Sequence, residues 1–281
     1  MLNKTVGEVV NEVIMLAVAK PGNSMLLVEG VDDVCFWSPR VAQVCSIIYA
    51  TGKKVAQSAV ERLNALGFGR HVGVFDRDYD DIGEATNLAR NRIFWDCHSI
   101  ETTIFFSSAG DKVLAEFFSQ PDAAFVEAKF GVSIKTALWS ICERFGRLRY
   151  LHHLSSGENQ AEAASLFRVF LPGMGHALPE HALHAEAFRC GAVPSAIQAK
   201  GKLDSIDGWE ARYLVRGHDI ADLVHIFVRE FGRSCSISQV EWALRLGFER
   251  ADLEATSVYL ELVEWERLHQ PYKVVSAMST L

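Results

Sequence analysis

The stretch Met25-Leu26-Leu27-Val28-Glu29-Gly30 is an uninterrupted apolar run that follows Gly22-Asn23 and closes on an acid and a glycine. Apolar residues that do not alternate with polar ones mark a strand covered on both faces, the form found in parallel sheets. The same form recurs at residues 44–49 before Gly52, at Val72-Gly73-Val74-Phe75 before an acidic loop, and at Ile93-Phe94-Trp95 before Asp96. Between two of these runs, residues 55–66 place apolar side chains at 55, 59, 60, 63 and 66, a helical face that stops at Gly67. Strand, helix and strand in repetition predict an α/β fold, a parallel sheet with right-handed crossovers flanked by helices.

Working outward, residues 1–20 read as an amphipathic helix interrupted by Glu8 and Glu12, with no small-residue cleavage site, so a cytoplasmic location is expected. Beyond residue 98 the strand signal fades. Three-to-four spacing of apolar residues predicts helices over 99–106, 111–118, 134–145, 161–170, 221–231 and 238–269. At 281 residues the chain is long enough for about two domains. The expected division is an α/β core with its N-terminal helix at 1–110 and a mostly helical region at 111–281, returning to the core near 213–232. Hydrophobic residues at 49% and charged residues at 22% exclude a disordered chain, a collagen-like chain and a coiled-coil rod. No apolar run approaches the ~20 residues a bilayer requires, so no membrane partner is expected. The 28 basic and 35 acidic residues leave a net charge of −7, which excludes a broadly basic surface and allows nucleic acid only a local positive groove. Six cysteines stand singly, without a CxxC pair, as reduced thiols do.

Glu29 and Asp76 stand at the carboxyl ends of the first and third runs. In an open parallel sheet those ends share one edge, the edge where ligands bind, so the two carboxylates are expected to meet there. Asp78, two residues on in a segment read as extended, points the same way as Asp76, and Asp33 lies one helical turn past Glu29. Each acid alone reads as a helix start or a solvated turn. Together, at successive strand ends, they read as a site for a hard divalent cation, Mg²⁺ or Mn²⁺, which offsets their mutual repulsion and prefers oxygen ligands.

Val28-Glu29-Gly30-Val31-Asp32-Asp33 followed by Phe75-Asp76-Arg77-Asp78-Tyr79-Asp80 resembles the Toprim domain, with a strand-end Glu, an Asp four residues later and an Asp-x-Asp pair on a later strand. Asp96-Cys97-His98-Ser99-Ile100-Glu101 is similar to the further acidic segment of the OLD-nuclease branch and of stand-alone Toprim effectors in PARIS-type anti-phage systems. The resemblance covers residues 20–105. It implies a Mg²⁺-dependent nuclease in which Asp76 and Asp78 hold metal, Glu29 is a ligand or general acid/base, and Asp33 and Glu101 support a second ion. It also implies a toxic defence effector restrained by an ATPase partner, with RNA, and tRNA within it, the favoured substrate.

OLD-type nucleases carry a late basic residue that steadies the transition state, and Lys202 and His218 compete for that role here. Arg144, Arg147 and Arg149, with His152 and His153, form the strongest positive cluster and read equally as a nucleic-acid guide or as a solvated helix end. Amphipathic helices near the C-terminus suit a homodimer contact or a partner. Two competing readings use the same acids: a regulatory or scaffolding subunit that keeps the Toprim-like shape without turnover, and a phosphatase or receiver-like phosphoacceptor.

Overall fold

The computed structural model describes residues 3–79, 86–156, 210–233 and 235–275. In chain order its regular elements begin α1 (Val6–Ala19), β1 (Ser24–Val28), α2 (Val31–Trp37), β2 (Cys45–Tyr49), α3 (Lys53–Ala65), β3 (His71–Phe75) and β4 (Arg92–Phe94). They continue as α4 (Ile100–Phe106), α5 (Ser108–Phe117), α6 (Gln120–Phe130), α7 (Ile134–Ser156), α8 (Gly217–Phe231), α9 (Ile237–Gly247), α10 (Arg250–Glu254) and α11 (Ser257–Leu268). They form two compact units, residues 1–76 with 83–96 and 250–281, and residues 77–82 with 97–249.

The first unit is the expected α/β sheet. Its strands run parallel in the order β2-β1-β3-β4, with Leu26 opposite both Ile47 and Val72, and Val74 opposite Ile93. Central strands β1 and β3 are buried along their whole length, which is why neither run alternates with polar residues. Helix α1 starts on a capping box, where Glu8 N–H donates to Thr5 Oγ1 and Thr5 N–H donates to Glu8 Oε2. That backbone donor holds the exposed Glu8 carboxyl below its ordinary range. Val9 and Val13 of α1 join Ala56, Val60 and Leu63 of α3 over Met25, Leu27 and Phe75 in one core. Each of these side chains larger than alanine contributes about 1.5–3 kcal/mol by leaving water. A second cluster sets Phe36, Trp37 and Trp95 edge to face or stacked, with centroids 5.3–5.8 Å apart.

The return to this sheet unit is made by residues 250–275, whereas 213–232 belongs to the second unit. The buried carboxylate of Glu266 accepts the N–H groups of Val274 and Val275 at 2.7 and 2.8 Å, and Val275 bridges to Val41. Trp265 is fully buried and donates its indole N–H to Asn91 at 2.7 Å. This anchoring needs no amphipathic periodicity of its own after Leu268, so the hydropathy pattern does not announce it.

The second unit is helical among the described residues. Ile220, Leu223, Val224, Phe227 and Val228 of α8 are buried and form one stripe of its core. Two sequence expectations change, over 238–269 and at the start of the helix expected over 221–231, and α6 is a helix the apolar spacing does not predict. Helix α6 has no clean apolar stripe; it is fixed by the Ser119–Asp122 capping box and by Gly131, whose φ of +72° ends it. The expected helix over 238–269 is three shorter ones, the last begun by Thr256 Oγ1, which accepts Tyr259 N–H. Helix α8 begins at Gly217 after an extended Arg216, because Asp219 is turned to Arg149 and does not cap it. Asp80 and the expected helix over 161–170 lie outside the described residues. No helix among the described residues is long and apolar enough to cross a membrane.

Candidate functional site

Glu29 follows the last residue of β1 and Asp76 follows the last residue of β3, so the parallel pairing of those strands carries both to the carboxyl edge of the sheet. There the Glu29 carboxylate accepts the backbone N–H of Asp76 through Oε1 at 2.9 Å. The bond fixes where Glu29 points and ties the two residues in register. Asp33, in the first turn of α2, accepts the N–H of Gly30 through Oδ2 at 2.8 Å. That is a helix-start role, which accounts for its spacing from Glu29 without a cation.

Asp78 and Glu101 belong to the second unit. The extended geometry expected to align Asp78 with Asp76 stops early: β3 ends at Phe75, and Asp78 takes a left-handed φ of +49°. Aspartate tolerates that conformation better than most residues, and a residue there no longer follows strand alternation. The Asp78 N–H donates to the carbonyl of His98 at 3.0 Å, and its Oδ1 lies 3.8 Å from His98 Nδ1. Glu101, in the first turn of α4, accepts the Ser99 hydroxyl at 3.0 Å, and Ser99 Oγ also accepts the N–H of Gly217. A Cβ on Gly217 would come within 2.5 Å of Glu101 Oε2, so glycine is required for α8 to start there.

His98 and Tyr79 are parts of this second neighbourhood that hydropathy reading passes over. Both are buried, with ring centroids 4.6 Å apart in an edge-on contact. The Tyr79 hydroxyl donates to Leu214 O at 2.9 Å, and burial, reinforced by the charge of Asp219, pushes its pKa well up. The available signal was their position, Tyr79 directly after Asp78 and His98 within the acidic segment 96–101.

The basic candidates are dispersed. Arg149 is 8% exposed and forms a two-pronged ion pair with Asp219, both N–O distances 2.7 Å, which turns its guanidinium inward and away from the surface guide expected of it. Arg147 pairs with Glu143 one helical turn away at 3.1 Å. Arg144 is half-buried on the same helix. His218 is 64% exposed with Nδ1 3.2 Å from Glu241 Oε1. Beside it, burial and the neighbouring Asp219 raise the pKa of Asp222. Lys202 lies outside the described residues.

The donors at the sheet edge fit Mg²⁺ or Mn²⁺ in kind, being carboxylate oxygens. Among the described residues no three His, Cys, Asp or Glu side chains draw together as a metal cluster. The sheet brings the Glu29 carboxylate to the backbone of Asp76. Mg²⁺ is commonly held by one or two carboxylates with water and substrate phosphate filling its remaining positions, and a pair of acids suffices for that mode. No family model matches the chain, and no match was found among curated proteins.

Proposed function

We propose that this chain is a Mg²⁺- or Mn²⁺-dependent nuclease of Toprim-like architecture that hydrolyses phosphodiesters in nucleic acid. The single observation that supports this reading is the Glu29–Asp76 hydrogen bond at the carboxyl edge of a parallel sheet. Asp76 would hold the ion, and Glu29 would serve as a further ligand or as the general acid/base. When bound, the cation supplies charge neutralisation for the scissile phosphate and a water of lowered pKa. The chain's own contribution is orientation. Asp76 N–H occupies one oxygen of Glu29 and so directs the carboxylate, fixing a group that would otherwise sample several rotamers.

RNA, and tRNA in particular, is the favoured substrate, and the setting is a cytoplasmic anti-phage response in which an ATPase partner restrains a homodimeric effector. These features rest on the resemblance carried by residues 28–33, 75–80 and 96–101. His218 and Lys202 are the candidates for steadying the transition state, and Arg144 and Arg147 for guiding the strand.

A second reading, a non-catalytic scaffolding subunit, is favoured by the helix-start contacts of Asp33 and Glu101, which give those acids structural work. One assay separates the two. Purified protein with Mg²⁺ or Mn²⁺, alone and with a candidate ATPase, is presented with tRNA, single-stranded RNA and duplex DNA. The nuclease reading expects cleavage by the native chain and none by folded Glu29→Gln or Asp76→Asn. Cleavage that survives both substitutions, or no cleavage under any condition, overturns it.

A further inference from the structure

A cavity of about 770 Å³ opens within the second unit, bounded by α4, α5, α6 and α7. Its size falls in the range of small-ligand sites. Phe105, Phe118, Leu114 and Ile134 form a buried floor, while Phe106 is 45% exposed at the rim. Trp139 meets Phe106 edge to face with centroids 4.3 Å apart. Aromatic residues therefore line both its depth and its mouth.

The charges around it are unequal. Lys135 Nζ lies 2.8 Å from Asp111 Oδ2 and 5.7 Å from the centroid of Phe105. The chain's own ammonium thus already occupies a niche between a carboxylate and an aromatic ring, and Asp111 and Lys135 neutralise one another. Glu127 lines the same cavity and is exposed, and no side-chain hydrogen bond or ion pair engages its carboxylate among the described residues. The lining therefore carries one uncompensated negative charge beside aromatic faces, which are themselves electron-rich. An anionic ligand would meet the uncompensated carboxylate of Glu127. A neutral one would fill the apolar floor and leave Glu127 unused.

We infer that this cavity is a binding site for a small organic cation, an aromatic or aliphatic body carrying an ammonium or guanidinium head, with the paired rings of Phe106 and Trp139 packing against the body and Glu127 pairing with the head. The site uses none of the residues assigned to phosphodiester cleavage and does not depend on that assignment.

The test titrates the full chain into the millimolar range with three probes of one shape, 3-phenylpropylammonium, 3-phenylpropanol and 3-phenylpropionate, by calorimetry and by shift of the melting temperature. The site predicts saturable binding of the ammonium probe, on the order of 5-fold tighter than the alcohol, with the carboxylate weakest. Glu127→Gln, an exposed and fold-neutral change, should erase the preference of ammonium over alcohol while leaving the alcohol's affinity in place. Phe106→Ala should weaken both probes alike. Absence of saturable binding, equal binding of all three probes, or a preference that survives Glu127→Gln would each overturn the inference.

Discussion

Oε1 of Glu29 accepts a hydrogen bond from the backbone N–H of Asp76 at 2.9 Å, joining residues 47 apart in sequence across the ends of adjacent parallel strands. The contact separates chemistry from stability. In Glu29→Gln the amide oxygen can still accept that N–H, so stability should stay within about 1 kcal/mol of the native chain. Glu29→Ala removes the acceptor and should cost about 1–3 kcal/mol. Both should lower any nucleic-acid cleavage by at least about 100-fold, the scale of a lost acid/base or electrostatic group. Urea denaturation beside a cleavage assay reads both effects.

Arg149 and Asp219 form a buried, bidentate ion pair inside the helical unit. Arg149→Met leaves Asp219 charged and buried without its partner and should destabilise by about 3–5 kcal/mol. The double change Arg149→Met with Asp219→Leu should recover most of that loss, since neither charge then remains to be desolvated. A double-mutant cycle in urea checks the coupling. Additive effects would show that the pair contributes little as a pair.

His71, at the start of β3, is fully buried, with Nδ1 2.6 Å from Phe68 O and Nε2 3.3 Å from Val60 O. Burial dominates and lowers its pKa to about 4, although both carbonyls favour the charged ring. Because the folded pKa lies below the unfolded value near 6.5, the unfolded chain takes up the proton first as pH falls. Stability from this group is therefore whole above pH 6.5 and is lost between about 6.5 and 4, amounting to about 3 kcal/mol. Denaturation at stepped pH should show this slope in the native chain and a flatter one in His71→Gln.

Gly146 lies inside α7, where an added Cβ would stand 2.4 Å from the carbonyl oxygen of Leu214. The same oxygen receives the Tyr79 hydroxyl at 2.9 Å, so it has little room to yield. Gly146→Ala should destabilise by about 1–3 kcal/mol despite alanine's better helix propensity, with a lowered melting temperature as the readout.

The sheet was legible because its signals are local. Runs such as 25–28 and 72–75 are apolar without alternation, and each acid that follows is placed by strand pairing alone. The meeting of Glu29 and Asp76 follows from that geometry. What escaped the sequence depends on conformations that composition does not encode. Asp78 leaves the extended path through a left-handed residue, and a two-residue spacing cannot announce a single φ. Arg149 sits in a basic run that looks solvated, yet its partner Asp219 is 70 residues away. Helix α6 is specified by its caps, and a search for apolar periodicity alone does not find it.

The most direct measurement is Mn²⁺ binding to the native chain and to Asp76→Asn, followed by electron paramagnetic resonance with Mg²⁺ as competitor. The account predicts a saturable Mn²⁺ signal that Mg²⁺ displaces and that the folded Asp76→Asn chain lacks. Equal Mn²⁺ binding by the two chains, or none by the native one, would contradict it.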